Sequence, residues 1–105
     1  MYSKELIKGT LQTVVLRLLD QEGRMYGYQM NKRVGELSGD KYQLTEGALY
    51  PLLAKLVKAE LVEAELEKVN GRPRKYYRIT EKGREAARSR REEFRNFLLT
   101  MQRIL

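Results

Sequence analysis

The 105-residue chain has no cysteine and no histidine. That excludes a disulfide framework, a Cys/His zinc site, a thiol nucleophile and an imidazole base, so most hydrolytic and metal-dependent chemistries lose their usual parts. Tyrosine, lysine and carboxylates are present, but no pair has a spacing that suggests catalysis. The expected activity is binding, not enzymatic turnover, with no metal and no cofactor. Long hydrophobic runs are also missing. The best apolar stretch, Leu11 to Leu19, is short and interrupted by Arg17, and Met1-Tyr2-Ser3-Lys4-Glu5 lacks the cationic start and apolar core of a signal peptide. A cytoplasmic protein without a membrane span is expected. There is no internal repeat, low-complexity tract or Pro/Ser-rich linker that would split a 12.4 kDa chain into separate folding units.

Charge is present, and it is unevenly placed. The formal excess of +7 lies entirely in Lys68 to Arg95, which holds 11 Lys/Arg and 4 Asp/Glu, while the other 77 residues carry 10 of each sign. A solubility device would be spread evenly. This charge begins at an Asn70-Gly71 turn, as expected of a basic tip that leaves the core to meet a polyanion, with nucleic acid the obvious candidate.

Apolar periodicity supplies the elements. Ile7, Leu11, Val14, Val15 and Leu18 recur at helical spacing in Lys4 to Gln21, with Leu16 and Leu19 widening the arc into a largely buried helix, and Gly23 follows where a helix ends left-handed. Met30, Val34 and Leu37 give a second helix over 26–37, stopped by Ser38-Gly39-Asp40. A third spans 45–59 on Leu49, Leu52, Leu53, Leu56 and Val57, with Thr45 as N-cap. Pro51 removes a backbone donor there, so the first turns are kinked or the helix begins nearer Ala48. After Leu61 the period becomes 2: Val62, Ala64 and Leu66 alternate with Glu63, Glu65 and Glu67, and Tyr77 and Ile79 with Tyr76 and Arg78. Two half-buried strands joined as a hairpin are predicted, the outward Glu row facing the outward Arg and Tyr row. Thr80 caps a final helix of about 25 residues, or roughly 37 Å. Its apolar stripe is Ala87, Phe94, Leu98, Met101 and Leu105, with Phe97 and Ile104 beside it. So long a helix cannot pack entirely on so small a core, and a second copy of the chain is the simplest partner for its distal half.

Three helices followed by a basic-tipped hairpin is the order of a winged helix-turn-helix, a mainly α fold with a small β-hairpin. Met25-Tyr26-Gly27-Tyr28-Gln29-Met30 resembles the opening of helix two in PadR-type transcriptional regulators. Leu44-Thr45-Glu46-Gly47-Ala48-Leu49-Tyr50-Pro51-Leu52-Leu53 resembles that family's recognition-helix signature, and the run from Gly71 to Gly83 resembles its wing and the entry to its last helix. The three occur in the family's order, and a single helix after the wing resembles its short branch. Glu60 departs from the pattern, since many relatives place glycine after the recognition helix.

The resemblance implies a homodimeric repressor of double-stranded DNA, with residues 1–80 as the DNA-binding domain and 81–105 as the dimerisation helix. The last helix would pack against the partner's first helix, through Leu11, Ala87, Phe94, Phe97, Leu98, Met101 and Leu105. Release would be controlled by a small molecule or another signal. Thr45, Glu46, Ala48 and Tyr50 match the family's major-groove end of helix three, and Phe94 and Phe97 the region where flat apolar or aromatic effectors enter between subunits. In the wing, Arg72, Arg74 and Lys75 suit phosphate contact or a narrow minor groove, stiffened by Pro73, unless Glu63, Glu65 and Glu67 neutralise them. Tyr76 faces out or packs inward, Tyr28 reaches the backbone or packs, and Lys55 and Lys58 divide between backbone contact and solvated surface. On the last helix, Arg91, Glu92 and Glu93 offer local pairing. The alternative is a protein-interaction adaptor with only nonspecific nucleic-acid affinity.

Overall fold

Ser3 opens the first helix, its hydroxyl accepting the Leu6 N–H at 3.3 Å. The computed structural model describes residues 2–105, and the elements run α1 (Lys4–Glu22), β1 (Met25–Tyr26), α2 (Gly27–Ser38), α3 (Glu46–Lys58), β2 (Val62–Val69), β3 (Arg72–Ile79) and α4 (Glu81–Ile104). The fold is α+β, with a three-stranded antiparallel sheet in the order β1-β3-β2. No helix of the described residues is long and apolar enough to cross a membrane.

The core is one cluster to which every element contributes. Leu11, Val15, Leu16, Leu18 and Leu19 of α1 meet Met30 and Val34 of α2, Leu49, Leu53 and Leu56 of α3, Val62, Tyr77 and Ile79 of the hairpin and Ala87 of α4. Tyr42, in the α2–α3 connection, ties that loop to α1: its hydroxyl donates to the Ile7 carbonyl at 3.2 Å and shares a 2.7 Å hydrogen bond with Thr10.

Several local expectations are corrected. Tyr26 is not the first residue of α2. It ends β1, which pairs Met25 with Tyr77 and Tyr26 with Tyr76, and two residues are too few to show a strand period. Gly23 has φ 85° and ψ −151°, a positive φ outside the left-handed helical basin. Helix α3 begins at Glu46, not nearer Ala48, with Pro51 inside it. Both Gly47 and Pro51 are exposed, so the Gly47 carbonyl that loses its donor faces water. Leu66 is not half-buried: the alternation continues along β2 after the core has ended, leaving Leu66 72% exposed.

The junction of α3, the sheet and α4 is tightly built. Ala59 ends α3 and Glu60 adopts φ 62°, the left-handed conformation that favours glycine. The Glu60 N–H donates to Val57 and the Leu61 N–H to Leu56, each at 3.0 Å, the bond pair of a Schellman turn. The Thr80 hydroxyl donates to the Glu60 carbonyl at 2.7 Å and accepts the Gly83 N–H at 3.0 Å, while Lys82 Nζ donates to the Ala59 carbonyl at 3.2 Å. Gly83 packs so closely that a Cβ would overlap the Leu61 carbonyl oxygen. The turn is thus closed with glutamate held at a φ that favours glycine. Glu60→Gly should therefore raise stability by about 0.5–1 kcal/mol, read as a higher urea midpoint at unchanged m-value.

Candidate nucleic-acid interface

The apolar spacing of α3 buries Leu49, Leu53 and Leu56 and turns its other face outward. Thr45 stands at the N-cap with extended backbone, and its carbonyl accepts the N–H groups of Ala48 at 3.2 Å and Leu49 at 2.8 Å. Its hydroxyl makes no capping bond and is left uncommitted. Glu46 and Gly47 are exposed in the first turn and Ala48 is half-buried, while Lys55 and Lys58 lie exposed near the other end. Tyr50 leans across to α2: its phenol lies where a side chain on Gly27 would stand, so only glycine admits this close approach.

Helix α2 places a second aromatic beside α3. Tyr28 is 67% exposed and, with Asn31, Lys32, Gln43 and Thr45, lines an open groove of about 640 Å³. Asn31 Oδ1 accepts the Leu44 N–H at 3.3 Å, which holds the loop leading into α3 against α2.

The wing turns at Asn70 (φ 53°) and Gly71 (φ 78°), a two-residue connection with both φ angles positive that matches the twist of the flanking strands. Across the ladder Glu63 faces Arg78, Glu65 faces Tyr76 and Glu67 faces Arg74, the expected juxtaposition of rows. Glu65 and Glu67 nevertheless find partners other than the wing-tip cations. Glu65 pairs with Arg24 at 3.1 Å and Arg78 at 3.3 Å, and Glu67 pairs with Arg24 at 2.7 Å. Among the described residues, Arg72, Arg74 and Lys75 make no ion pair. Hydrogen bonds that the Arg24 guanidinium donates to Glu67 and then Glu65 raise it above its ordinary value.

Aromatic stacking joins the wing to the start of α2. Tyr26 stacks on Tyr28 with centroids 6.4 Å apart and meets Tyr76 edge-on at 5.4 Å. Arg74 lies 4.2 Å over the Tyr26 ring and Arg24 lies 3.9 Å over Tyr76. Tyr76 is therefore half-buried between Tyr26 and Arg24, with its faces already engaged. Arg72 and Lys75 are exposed, and Arg74 is half-buried on Tyr26.

Between α3 and the wing lies a groove of about 560 Å³ that brings Tyr50 together with Arg74 and Lys75, floored by Gly27, Ala54, Val57 and Tyr77. Thr45 and Tyr28 share the neighbouring groove, and Arg72 sits at the wing tip with Val69, Asn70, Pro73 and Arg74. The expected dimerisation residues divide. Leu11 and Ala87 are buried inside the protomer's own core, Phe94 and Met101 are half-buried, and Phe97, Leu98 and Leu105 are exposed, as is Leu99, which lies off the expected stripe. Phe94 stacks on Phe97 at 6.2 Å. On the same helix the ion pairs come from Arg84, with Glu81 at 2.7 Å and Asp20 at 3.7 Å, instead of from Arg91 with its neighbours. Arg24 is the residue that the sequence pattern does not single out. Its role arises only where the segment before β1 meets the wing, and no local pattern in the sequence marks it.

Comparison with known proteins places this geometry. Residues 15–89 match the family described as "Transcriptional regulator PadR-like family". An uncharacterised protein of Lysinibacillus sphaericus is 35% identical over 85 residues, covering 80% of this chain and 77% of that protein. The fold is similar to a transcriptional regulator from Clostridium thermocellum, with TM-score 0.89, 28% identity and coverage of 100% of this chain and 99% of that one. It is also similar to a PadR-like transcriptional regulator from Bacillus cereus, with TM-score 0.79, 27% identity and 96% of both chains covered.

Burial, and then the nearby Tyr50, raise the Tyr77 phenol above its ordinary value, and burial raises Tyr42 against the opposing hydrogen bond from Thr10. A raised folded value means that the native state holds these protons after the unfolded chain has released them at about pH 10. Their contribution to stability is complete below that pH and lost as pH rises through the folded values. Denaturant melts from pH 8 to 11 should fall in midpoint, and Tyr77→Phe should flatten the fall.

Proposed function

This chain belongs to the PadR-like family of transcriptional regulators, and from that premise we propose that it is a homodimeric repressor. It binds an inverted-repeat operator in double-stranded DNA and is released by a small molecule or another signal. The observation that carries the reading is the exposed start of α3 lying beside a wing whose cations nearest the tip, Arg72, Arg74 and Lys75, make no ion pair. In this reading Thr45, Glu46, Ala48 and Tyr50 meet base edges and phosphates in a major groove. Tyr28, Lys55, Arg72, Arg74 and Lys75 hold the flanking backbone, and Tyr76 acts mainly by seating the wing. Two-fold symmetry repeats the contact about one helical turn away, roughly 34–36 Å. A cytoplasmic location goes with that role.

Residues 1–80 serve as the DNA-binding unit and 81–105 as the dimerisation helix, with Leu11 and Ala87 closing the joint between them. Support for the second copy is the apolar surface left on α4, where Phe97 is 52%, Leu98 48% and Ile104 67% exposed. Laying the first helix of a second copy against such a stripe would cover it. An apolar or aromatic effector would enter where Phe94 and Phe97 wall a groove of about 390 Å³ with Leu6, Thr10 and Thr13 of α1.

Fluorescence anisotropy against a duplex from upstream of its own gene and against a scrambled duplex, over a salt series, tests the reading. Tighter binding to the upstream duplex is expected, and equal affinity for both overturns sequence-specific repression. Arg72→Ala should weaken both and reduce the magnitude of the salt slope by about 0.9 per lost phosphate contact. In light scattering the chain should be a dimer and Leu98→Glu a monomer with weakened operator binding. A wild-type monomer would favour the protein-interaction adaptor instead.

A further inference from the structure

Arg24 lies outside the recognition helix and outside the wing, yet it spends its charge on both outward wing carboxylates nearest the tip. It reaches Glu67 at 2.7 Å and Glu65 at 3.1 Å, with its guanidinium plane 3.9 Å over the Tyr76 ring. Strand pairing puts Glu67 directly opposite Arg74 and Glu65 opposite Tyr76. The cation best placed to pair with Glu67 is therefore Arg74, its cross-strand neighbour, and such opposite-charge pairs form readily in antiparallel ladders. That pair is not made: Glu67 goes to Arg24, and Arg74 rests on Tyr26 at 4.2 Å, within the field of Glu67 but in no ion pair with it.

We infer that Arg24 is a positioning residue for DNA binding, which withholds Glu65 and Glu67 from Arg74 and from the phosphates that the wing approaches. This rests on the DNA-binding reading above and adds to it a mechanism for keeping the wing cationic. A hairpin bearing Glu63, Glu65 and Glu67 on the same face as Arg72 and Arg74 would otherwise cancel much of its own field. Arg24 is suited to the task because one guanidinium nitrogen reaches both carboxylates while the group lies over a tyrosine ring. Its side chain is 34% exposed and those of Glu65 and Glu67 are 43% and 47% exposed, so these pairs contribute little to folding. Loss of Arg24 should be felt at the DNA more than in the melting temperature.

The test is a charge cycle on the full-length dimer, read by anisotropy with the same upstream and scrambled duplexes. Arg24→Ala is expected to weaken binding to both about threefold to tenfold at low salt, with the loss shrinking as salt rises. Adding Glu65→Gln and Glu67→Gln to Arg24→Ala should restore wild-type affinity. The two glutamine changes in the Arg24 background should bind DNA at least as tightly as wild type, a comparison that holds even if Arg24→Ala folds poorly. Unchanged affinity in Arg24→Ala overturns the inference. So does a loss that the glutamines fail to recover, which would make Arg24 a direct contact or a purely structural one, and so does weaker binding by the glutamine pair alone. If wild type itself does not bind either duplex, the DNA-binding reading fails first, and that outcome is distinguishable from all of these.

Discussion

The architecture depends on the shortest element in it, the two-residue pairing of β1 with β3. Without it the hairpin would be held only by its core end, where Val62, Tyr77 and Ile79 enter the cluster, and the wing would lose its strand pairing to the segment that leads into α2. Met25 and Tyr77 close the inner face of that pairing, both nearly fully buried. Tyr26 and Tyr76 close the outer face, edge to face, and Tyr26 goes on to start α2 with its N–H donated to Gln29 Oε1 at 3.1 Å. One tyrosine thus ends a strand, begins a helix and supports Arg74. Each contact is modest, about 0.5–1.5 kcal/mol for an aromatic pair and about 0.5–1 kcal/mol for an exposed cation over a ring. Together they set the spacing between wing and recognition helix that a duplex would have to match.

How much of this was legible in the sequence follows from the range over which each signal acts. The four long helices and the hairpin were visible because a core-facing side chain must recur every 3.6 or every 2 residues, and the Asn70-Gly71 turn because few residue pairs accept two positive φ angles. Strand β1 was not visible, since its existence is decided by Tyr76 and Tyr77, some fifty positions away. Leu66 misled because alternation describes which side a residue faces, not whether anything covers that side. Pro51 predicts kinked first turns or a later start, but its lost bond lies on the wet face of α3, where the penalty is smallest. At the interface, the wing cations and the start of α3 were read directly from residue type and order. The Arg24 pairing, the Tyr50 approach to Gly27 and the stacking of Arg74 on Tyr26 arise only when separate segments meet, and no local pattern encodes them.

The final helix follows a different logic. Its first turns belong to the core through Gly83 and Ala87, while beyond Phe94 its apolar residues outrun anything the protomer can offer. The molecule extends to 53 Å along one axis and only 20 Å along another, the proportions of a small body bearing an arm. A chain of this size has little core to spare, and leaving Phe97, Leu98 and Ile104 in water would be unfavourable unless they are covered by association.

The seam where α3 hands over to α4 has a mechanical meaning. The two carbonyls that follow α3, those of Ala59 and Glu60, are grasped by Lys82 and Thr80, and the Leu61 carbonyl sits against Gly83 with no room for a Cβ between them. The exit of α3 and the entry to α4 are consequently bolted to each other directly, where a slack linker could have stood.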